Sequence, residues 1–331
     1  MKLRGIEFGN VLGASGAQGF FGEGYLHHRL LGPFGPKFDG CTFVAKTTTL
    51  NGRKGNMPMQ EDGITPREFM PRCIFPNFLR VKNIPISIGM FLKGLMLNAV
   101  GLSGPGAEFL LETGRWQDLT ETFFLSVMSV AQTAGERILE IRSFVKKLVQ
   151  YLPEFKARVG LQINISCPNV GLNIDELVYE TETMLDFASE LDVPLMPKFN
   201  ILTPVTVAKQ IAEHPSCDAL CISNTIPWGK LPERINWKEL FGTDVSPLAE
   251  FGGGGLSGWP LLPLVEEWVR EARKIGITMP INAGGGILAP RDVNALMRAG
   301  ASSVFLGSIA SLRPWRVRAT IRYANQLTNW R

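Results

Sequence analysis

The amino-acid sequence predicts an α/β fold, a (β/α)8 TIM barrel formed as a single domain with loop insertions. Eight short apolar segments with the character of buried strands occur along the chain. In the central part they alternate with helical patterns at spacings of roughly 30 to 45 residues, as parallel βαβ units do. The last two strands run into glycine-containing loops, the usual phosphate site of this fold. One such barrel takes about 250 residues, so we assign residues 1–331 to one domain.

The first predicted strand, 11–14, ends in Ala14, Ser15 and Gly16, small residues that let another group lie close to the backbone. Residues 17–40 follow with glycines, prolines and aromatic residues in no clear period, and we predict an insertion or lid-like loop there.

Two adjacent histidines, His27 and His28, lie inside this insertion. We interpret them as surface residues, because no further ligand stands at metal-binding spacing. The second predicted strand, 41–47, ends with Lys46 and Thr47. A lysine at the end of an apolar strand either extends to solvent or lines a site.

The remaining strands are predicted from short apolar or alternating segments, and the helices from apolar residues at spacings of three and four. The strands are 123–127, 160–164, 195–199, 219–223, 280–283 and 303–306. The helices are 134–152, 174–191, 205–213, 261–275, 291–299 and 314–327.

Glycine clusters near the C-terminus predict an anion site. Strand seven runs into Gly284, Gly285 and Gly286, and strand eight into Gly307 and Ser308. Glycine lets main-chain N–H groups approach a phosphate closely. A further cluster, GGGGLSG, occupies residues 252–258.

The loop after strand four is the strongest candidate for a catalytic site. It reads Asn-Ile-Ser-Cys-Pro-Asn from Asn164 to Asn169, with Cys167 before Pro168. Proline restricts its own φ and favours extended geometry in the residue before it, so the thiol is held in a stiff loop. The two asparagines offer donors and acceptors without net charge, which suits a neutral heterocycle.

Composition excludes several other classes of protein. With 45% hydrophobic and 19% charged residues the chain can bury a full core, and a net charge of +4 is too small to indicate nucleic-acid binding. No apolar run is long enough to predict a transmembrane segment. The five cysteines are scattered, without paired spacing, which predicts neither a metal site nor a disulfide framework and favours a cytoplasmic location.

These motifs resemble the dihydroorotate dehydrogenase family, FMN-dependent flavoproteins of pyrimidine biosynthesis, in their order along the chain from about Phe8 to Leu312. The resemblance implies an oxidoreductase of the soluble type with a cysteine base, which oxidises dihydroorotate to orotate. Cys167 would remove a proton while a hydride passes to FMN. Because an unperturbed thiol has a pKa of about 8.5, it must be activated locally or act better at alkaline pH.

The resemblance also implies which residues bind the cofactor and which bind the substrate. Residues matching the cofactor-binding positions are Ala14, Ser15, Gly16, Lys46, Thr47, Asn164, Lys198, Gly258, Gly285, Gly286, Gly307 and Ser308. Residues matching the substrate-binding positions are Lys46, Asn98, Val100, Gly101, Leu102, Asn164, Asn169, Asn224 and Thr225. Val100, Ser103 and Gly104 depart from the family pattern, in which methionine and asparagine are usual. Lys54 and Met57 also depart, from the pattern after strand two.

Several alternatives stay open at this point. Another FMN barrel acting on a different dihydropyrimidine or reduced ring is the nearest one. A transfer-RNA dihydrouridine synthase is disfavoured by the small net charge. A colourless aldolase using Lys198 as nucleophile, or a scaffold barrel, would contain no flavin. We expect a small-molecule substrate and a homodimer. The electron acceptor, whether fumarate, a nicotinamide reached through an electron-transfer partner subunit, or a quinone, is left open.

Overall fold

The computed structural model describes residues 1–79, 84–165, 174–328 and 330. Its centre is a parallel sheet of seven strands. In spatial order they are Val11–Gly13, Ser303–Leu306, Ile281–Ala283, Leu220–Ile222, Leu195–Phe199, Val159–Asn164 and Phe123–Val127. All six strand pairings are parallel.

Residues 42–48 lie between the two edge strands of this sheet and close the barrel. Thr42 forms a parallel bridge to Leu12, whereas Val44 and Thr48 form parallel bridges to Phe124 and Val127. The predicted second strand over 41–47 is therefore present as isolated bridges rather than as a continuous ladder. The predicted eight-stranded α/β barrel is confirmed.

Helices on the outside of the barrel follow the predicted bounds closely. They are Ala134–Tyr151, Ile174–Ala188, Val205–Ala212, Leu261–Lys274, Val293–Ala299 and Val317–Gln326. Short 3-10 turns precede or extend four of these helices, at Leu152–Glu154, Ser189–Leu191, Pro290–Asp292 and Pro314–Arg316. Thr133 and Glu136 form a capping box at the start of the first helix, which explains where it begins.

Further elements were not predicted. They are the helices Leu26–Leu30, Ile84–Lys93, Ala107–Glu112, Trp237–Phe241 and Ile309–Leu312, the 3-10 turns Gly32–Phe34 and Ala249–Phe251, and eight short strands. Four of these strands, Ile226–Pro227, Gly255–Gly258, Leu95–Asn98 and Ile74–Phe75, pair antiparallel as a second sheet. The others pair as Lys2–Leu3 with Ile6–Glu7 and as Asn51–Arg53 with Gly104–Gly106. The insertion 17–40 thus contains one short helix and one 3-10 turn.

A chain of buried polar side chains, which we call the polar belt, crosses the barrel interior. Thr47 and Ser126 share a hydrogen bond of 2.9 Å, and Ser126 donates to Gln162 over 3.4 Å. Gln162 donates to the sulfur of Cys221 over 3.5 Å, and that thiol donates to Asn282 over 3.5 Å. Asn282 completes the belt by donating to Ser303 over 2.7 Å. The belt satisfies polar groups that would otherwise be costly to bury.

Candidate active site

The strands direct their carboxyl ends towards a cavity of about 1030 Å³. Every predicted site residue within the described part of the chain lines it. These residues are Ala14, Ser15, Gly16, Lys46, Thr47, Asn98, Val100, Gly101, Leu102, Asn164, Lys198, Asn224, Thr225, Gly258, Gly285, Gly286, Gly307 and Ser308. Positions separated by almost 300 residues along the chain therefore meet at one site, at the end of the barrel where this fold carries its chemistry.

Two lysines are buried in the wall of the cavity. Lys198 donates to the hydroxyl of Ser15 over 3.3 Å, and Lys46 donates to the carbonyl of Ser103. The ammonium of Lys46 also lies 4.3 Å from the ring centroid of Phe20. Among the described residues, neither lysine forms an ion pair with a carboxylate.

Burial lowers the pKa of both lysines, because a charged ammonium is less stable away from water. The pKa of Lys46 falls to about 8, with Glu23 and Cys73 acting in the opposite direction. The pKa of Lys198 is also lowered by burial, and Cys221 opposes this shift. A cavity with two buried cations that have no carboxylate partner favours an anionic ligand.

Amide side chains on one side of the cavity orient each other. Asn224 donates to the side-chain oxygen of Asn164 over 3.0 Å, and its own oxygen accepts from the N–H of Thr225 over 3.0 Å. Asn200 donates to the carbonyl of Thr225. Because each amide has a fixed partner, the remaining donors and acceptors of this group present a defined pattern to a polar ring.

The segment 98–102 is held in place by the loop that follows the second strand. Asn56 donates through its backbone to the carbonyl of Val100 over 2.9 Å and through its side chain to the carbonyl of Ala99 over 2.7 Å. Arg53 donates to the carbonyl of Gly101 over 2.9 Å. Gly101 and Leu102 both have positive φ, of 68° and 58°. The left-handed conformation is unusual for a leucine, and these contacts stabilise it.

The glycine loops also have conformations that depend on glycine. Gly285 and Gly286 have φ of 134° and 79°. A Cβ at Gly286 would lie 2.7 Å from the backbone nitrogen of Leu262 and 2.8 Å from the carbonyl oxygen of Gly258. Gly258 at the end of its strand, together with Gly286 and Gly307 in the loops after the last two barrel strands, lines the cavity without a side chain, as a phosphate cradle requires.

An aromatic cluster that was not predicted from the sequence lies in the wall of the cavity. Tyr25, His27 and His28 all line the cavity, and the rings of Tyr25 and His27 stack at 5.7 Å. The interpretation of His28 as a surface residue is wrong, because its side chain is buried and its Nε2 has no hydrogen-bond partner among the described residues. Burial, with the neighbouring His27, lowers the pKa of His28 to about 3. The aromatic content of residues 17–40 was the available signal.

A buried ion pair also lies at the cavity, and sequence reasoning missed it. Arg137 lines the cavity and donates to both carboxylate oxygens of Glu180, over 2.7 and 2.6 Å. The pair joins the helices on either side of the loop that contains Cys167. No local pattern identifies such a pair, because its members are 43 residues apart.

Cys167 and Asn169 lie outside the described residues. The described chain on both sides of them does reach the cavity. Asn164 and Ile165 line it from the strand side, and Leu177 lines it from the following helix. In the described residues no cluster of His, Cys, Asp and Glu could hold a metal ion.

Comparison with known proteins identifies relatives of the whole barrel. A family model described as dihydroorotate dehydrogenase matches residues 87–322. The chain is 27% identical over 322 residues to the catalytic subunit of dihydroorotate dehydrogenase B (NAD(+)) of Anoxybacillus flavithermus, covering 95% of this chain and 86% of that protein. It is 31% identical to the subunit of the same name from a Geobacillus species, covering 67% of each chain.

Solved structures support the fold. A dihydroorotate dehydrogenase of Eimeria tenella in complex with ferulenol superposes with a TM-score of 0.64 at 20% identity, covering 98% of this chain and 82% of that one. The ligand-free form from the same organism gives a TM-score of 0.63 at 19% identity, covering 98% and 86%. At this identity the likeness establishes the α/β barrel and nothing finer.

Proposed function

Because this chain belongs to the dihydroorotate dehydrogenase family, we propose that it oxidises dihydroorotate to orotate, with FMN bound in the cavity as hydride acceptor. The family makes the chain an oxidoreductase acting on a CH–CH group, and flavin dependence is general in that family. FMN as the particular flavin, and the roles of individual residues, are parts of the proposal.

The observation that carries the proposal is the pair of buried lysines without carboxylate partners. Dihydroorotate is an anion, and a reduced flavin becomes an anion. Each ligand would therefore give a buried lysine, Lys46 or Lys198, the anionic partner that it lacks among the described residues. A sugar-phosphate aldolase would need one lysine as nucleophile and gives no reason for the second.

We assign the FMN phosphate to the loops at Gly285, Gly286, Gly307 and Ser308, whose main chain faces the cavity. The ring system would lie over Ala14, Ser15 and Gly16, close to Thr47, Asn164 and Gly258, and Lys198 would stabilise negative charge at its edge. When bound, FMN supplies an acceptor for two electrons and a proton.

We assign the substrate to the opposite part of the cavity. Asn98, with the backbone of Val100, Gly101 and Leu102, would bind the carboxylate, assisted by Lys46. Asn164, Asn224 and Thr225 would bind the C=O and N–H edge of the ring, and their mutual hydrogen bonds restrict how that ring can turn. Asn169 would complete this set from the loop outside the described residues.

Oxidation of the substrate requires removal of a hydride from one carbon and a proton from its neighbour. We assign proton removal to the thiolate of Cys167, which would become a thiol as the C–H bond breaks and the ring double bond forms. The thiol must return its proton to solvent before the next turnover. Its position beside Pro168 favours a fixed approach to one face of the ring.

Other parts of the proposal concern the assembly. The relatives are named as catalytic subunits of an NAD(+) enzyme, which supports a partner subunit that passes electrons onward. We further propose a single domain over 1–331, a homodimer and a cytoplasmic location. Among the described residues, no helix has both the length and the apolar character to cross a bilayer.

The spectrum of the purified protein tests the proposal. A flavin absorbance that is bleached by dihydroorotate under anaerobic conditions, and by dihydrouracil far more slowly, is the expected result. Colourless protein that does not take up added FMN would overturn it. Preferential bleaching by dihydrouracil would retain the flavin and reject dihydroorotate as the substrate.

A further inference from the structure

Three segments that are distant in sequence contribute to an exposed apolar surface, which we call the apolar face. Its members are Leu30, Leu31, Phe34, Phe78, Leu92 and Trp315. Leu30 is 71% exposed, Leu92 69% and Phe34 68%. A single exposed apolar side chain is ordinary, whereas several together indicate an interaction surface.

Contacts among the segments make these residues neighbours. The turn Gly32–Phe34 packs against Pro314–Arg316. The ring of Trp315 lies 6.3 Å from that of Phe91, which in turn lies 5.8 Å from that of Phe78. Arg313 donates to the carbonyl of Phe91 over 2.8 Å and to the carbonyl of Leu92 over 3.0 Å. The insertion, the helix Ile84–Lys93 and the C-terminal turn thus form one surface.

The stretches of chain that contribute to the apolar face are basic in sequence, and one exposed carboxylate, Asp39, lies beside them, 3.7 Å from Arg318. The sequence contains no Asp or Glu in the stretches 24–38, 69–107 and 293–331. Together these stretches contain 12 of the chain's 34 Lys and Arg residues and none of its 30 Asp and Glu residues. The rest of the chain therefore has an excess of acidic residues, and the modest overall charge hides a strong asymmetry.

We propose that the apolar face is a docking surface for an anionic lipid bilayer. Leucine, phenylalanine and tryptophan side chains would enter the interface between headgroups and acyl chains. Arg29, Arg316 and Lys93, which are exposed on the same segments, would meet the anionic headgroups. The combination of protruding apolar residues with nearby cations is typical of proteins that bind a membrane surface without crossing it.

A second copy of the chain fits this face less well. A two-fold dimer would bring each basic stretch against its own equivalent, and like charges at an interface oppose association. The inference goes beyond the proposed function and does not depend on it, because neither the flavin nor the substrate takes part in the contact.

Sedimentation of the purified flavin-containing protein with lipid vesicles tests the inference. Vesicles of phosphatidylcholine with about 30% phosphatidylglycerol should carry the protein into the pellet, whereas pure phosphatidylcholine should not. About 0.5 M NaCl should release most of it, because that salt concentration screens exposed charges. Absence of binding to the anionic vesicles would overturn the proposal.

Matched variants distinguish vesicle binding through this face from non-specific binding by any exposed apolar side chain. Leu92→Ser should lower vesicle partitioning by about tenfold, since it removes one inserted leucine. Leu139→Ser is the control, because Leu139 is 57% exposed on the helix Ala134–Tyr151, away from the face. Equal losses in the two variants would contradict the inference.

A second pair of variants tests how much the basic side chains contribute to vesicle binding. Arg316→Glu should lower partitioning by about 30-fold, because one basic charge near an anionic leaflet contributes about fivefold and reversal counts twice. The control is Arg158→Glu, an exposed arginine just before the strand Val159–Asn164, at the opposite end of the barrel. Unchanged circular dichroism confirms that each variant folds. Dimers in lipid-free solution that Leu92→Ser dissociates would assign the face to self-association instead.

Discussion

Lys198 and Ser15 face each other across the carboxyl end of the barrel, with the ammonium 3.3 Å from the hydroxyl oxygen. The parallel register places Lys198 between Asn164 on one neighbouring strand and Cys221 on the other. Its position is therefore determined by the barrel rather than by a loop. A cation held in this way can stabilise charge that develops during a reaction without having to move.

Removing this charge should slow flavin reduction. In Lys198→Met the side-chain volume is largely kept, and we expect reduction by dihydroorotate to fall by about 100-fold, as for loss of one preorganised donor to a developing anion. FMN should remain bound, because the phosphate site is separate. Anaerobic stopped-flow absorbance measures the rate. Lys209→Met on the helix Val205–Ala212 is the control, a partly exposed lysine outside the cavity, and should behave as the unmodified protein. A normal rate in Lys198→Met would remove this lysine from the chemistry.

Lys46 should make a contribution to stability that depends on pH. Its pKa is about 8 in the folded protein against an ordinary value of 10.5. Burial of the charged side chain therefore lowers the free energy of unfolding at every pH below 8. This cost decreases as the pH rises from 8 to 10.5, where the unfolded chain binds more protons than the folded one.

The substitution Lys46→Met should therefore raise the free energy of unfolding of the cofactor-free protein by about 2 kcal/mol at pH 7, after allowing for the lost hydrogen bond to Ser103. The gain should disappear near pH 10.5. Urea unfolding at several pH values, with Lys209→Met for comparison, measures the difference. A gain that did not change with pH would mean that burial of charge is not its cause.

The loop at Gly286 should not tolerate a side chain. Gly286→Ala adds a Cβ against the main chain of Leu262 and Gly258, and also strains a positive φ. Gly276→Ala has the same strain at φ +95° but open space around it. The strain alone should cost about 1 kcal/mol, and we expect only Gly286→Ala to lose FMN as well. Thermal unfolding and the ratio of flavin to protein absorbance distinguish the two. Full flavin content in Gly286→Ala would place the phosphate elsewhere.

Cys167 should be required for turnover and not for flavin binding. A serine hydroxyl is a far weaker acid than a thiol, so Cys167→Ser should lower the rate at pH 7 by at least about 100-fold. The rate of the unmodified enzyme should rise with pH as the thiolate forms. Steady-state assays across pH 6 to 9 test both statements. An unchanged rate in the serine variant would exclude Cys167 as the base.

Local patterns were sufficient for most of the barrel. The helix Ala134–Tyr151 follows from apolar residues at helical spacing and from Pro153 just beyond its end, and its bounds agree within one residue. The glycine loops were predicted because the loops after strands seven and eight form the usual phosphate site of this fold, whereas Lys198 was predicted from the resemblance to the family. The roles of the cavity residues stay predictions until ligands are tested.

Long-range contacts explain what could not be predicted. Residues 42–48 bridge two strands that lie far away in sequence, so their pairing depends on closure of the barrel. His28 is buried because the insertion folds over the cavity, although its own neighbours in sequence are mostly exposed. The strands Ile74–Phe75 and Ile226–Pro227 are too short to show any period. Cys167 and Asn169 were predicted from sequence and lie outside the described residues.

The polar belt beneath the cavity makes its members dependent on one another across six of the eight strands. Gln162, Cys221 and Asn282 each have one partner on either side, so an apolar replacement at any of them would remove two hydrogen bonds from the interior. The side chains of the polar belt can therefore change only through coordinated substitutions. New substrate preferences should arise first in the surrounding loops, and a laboratory library aimed at altered specificity would do best to leave these strands untouched.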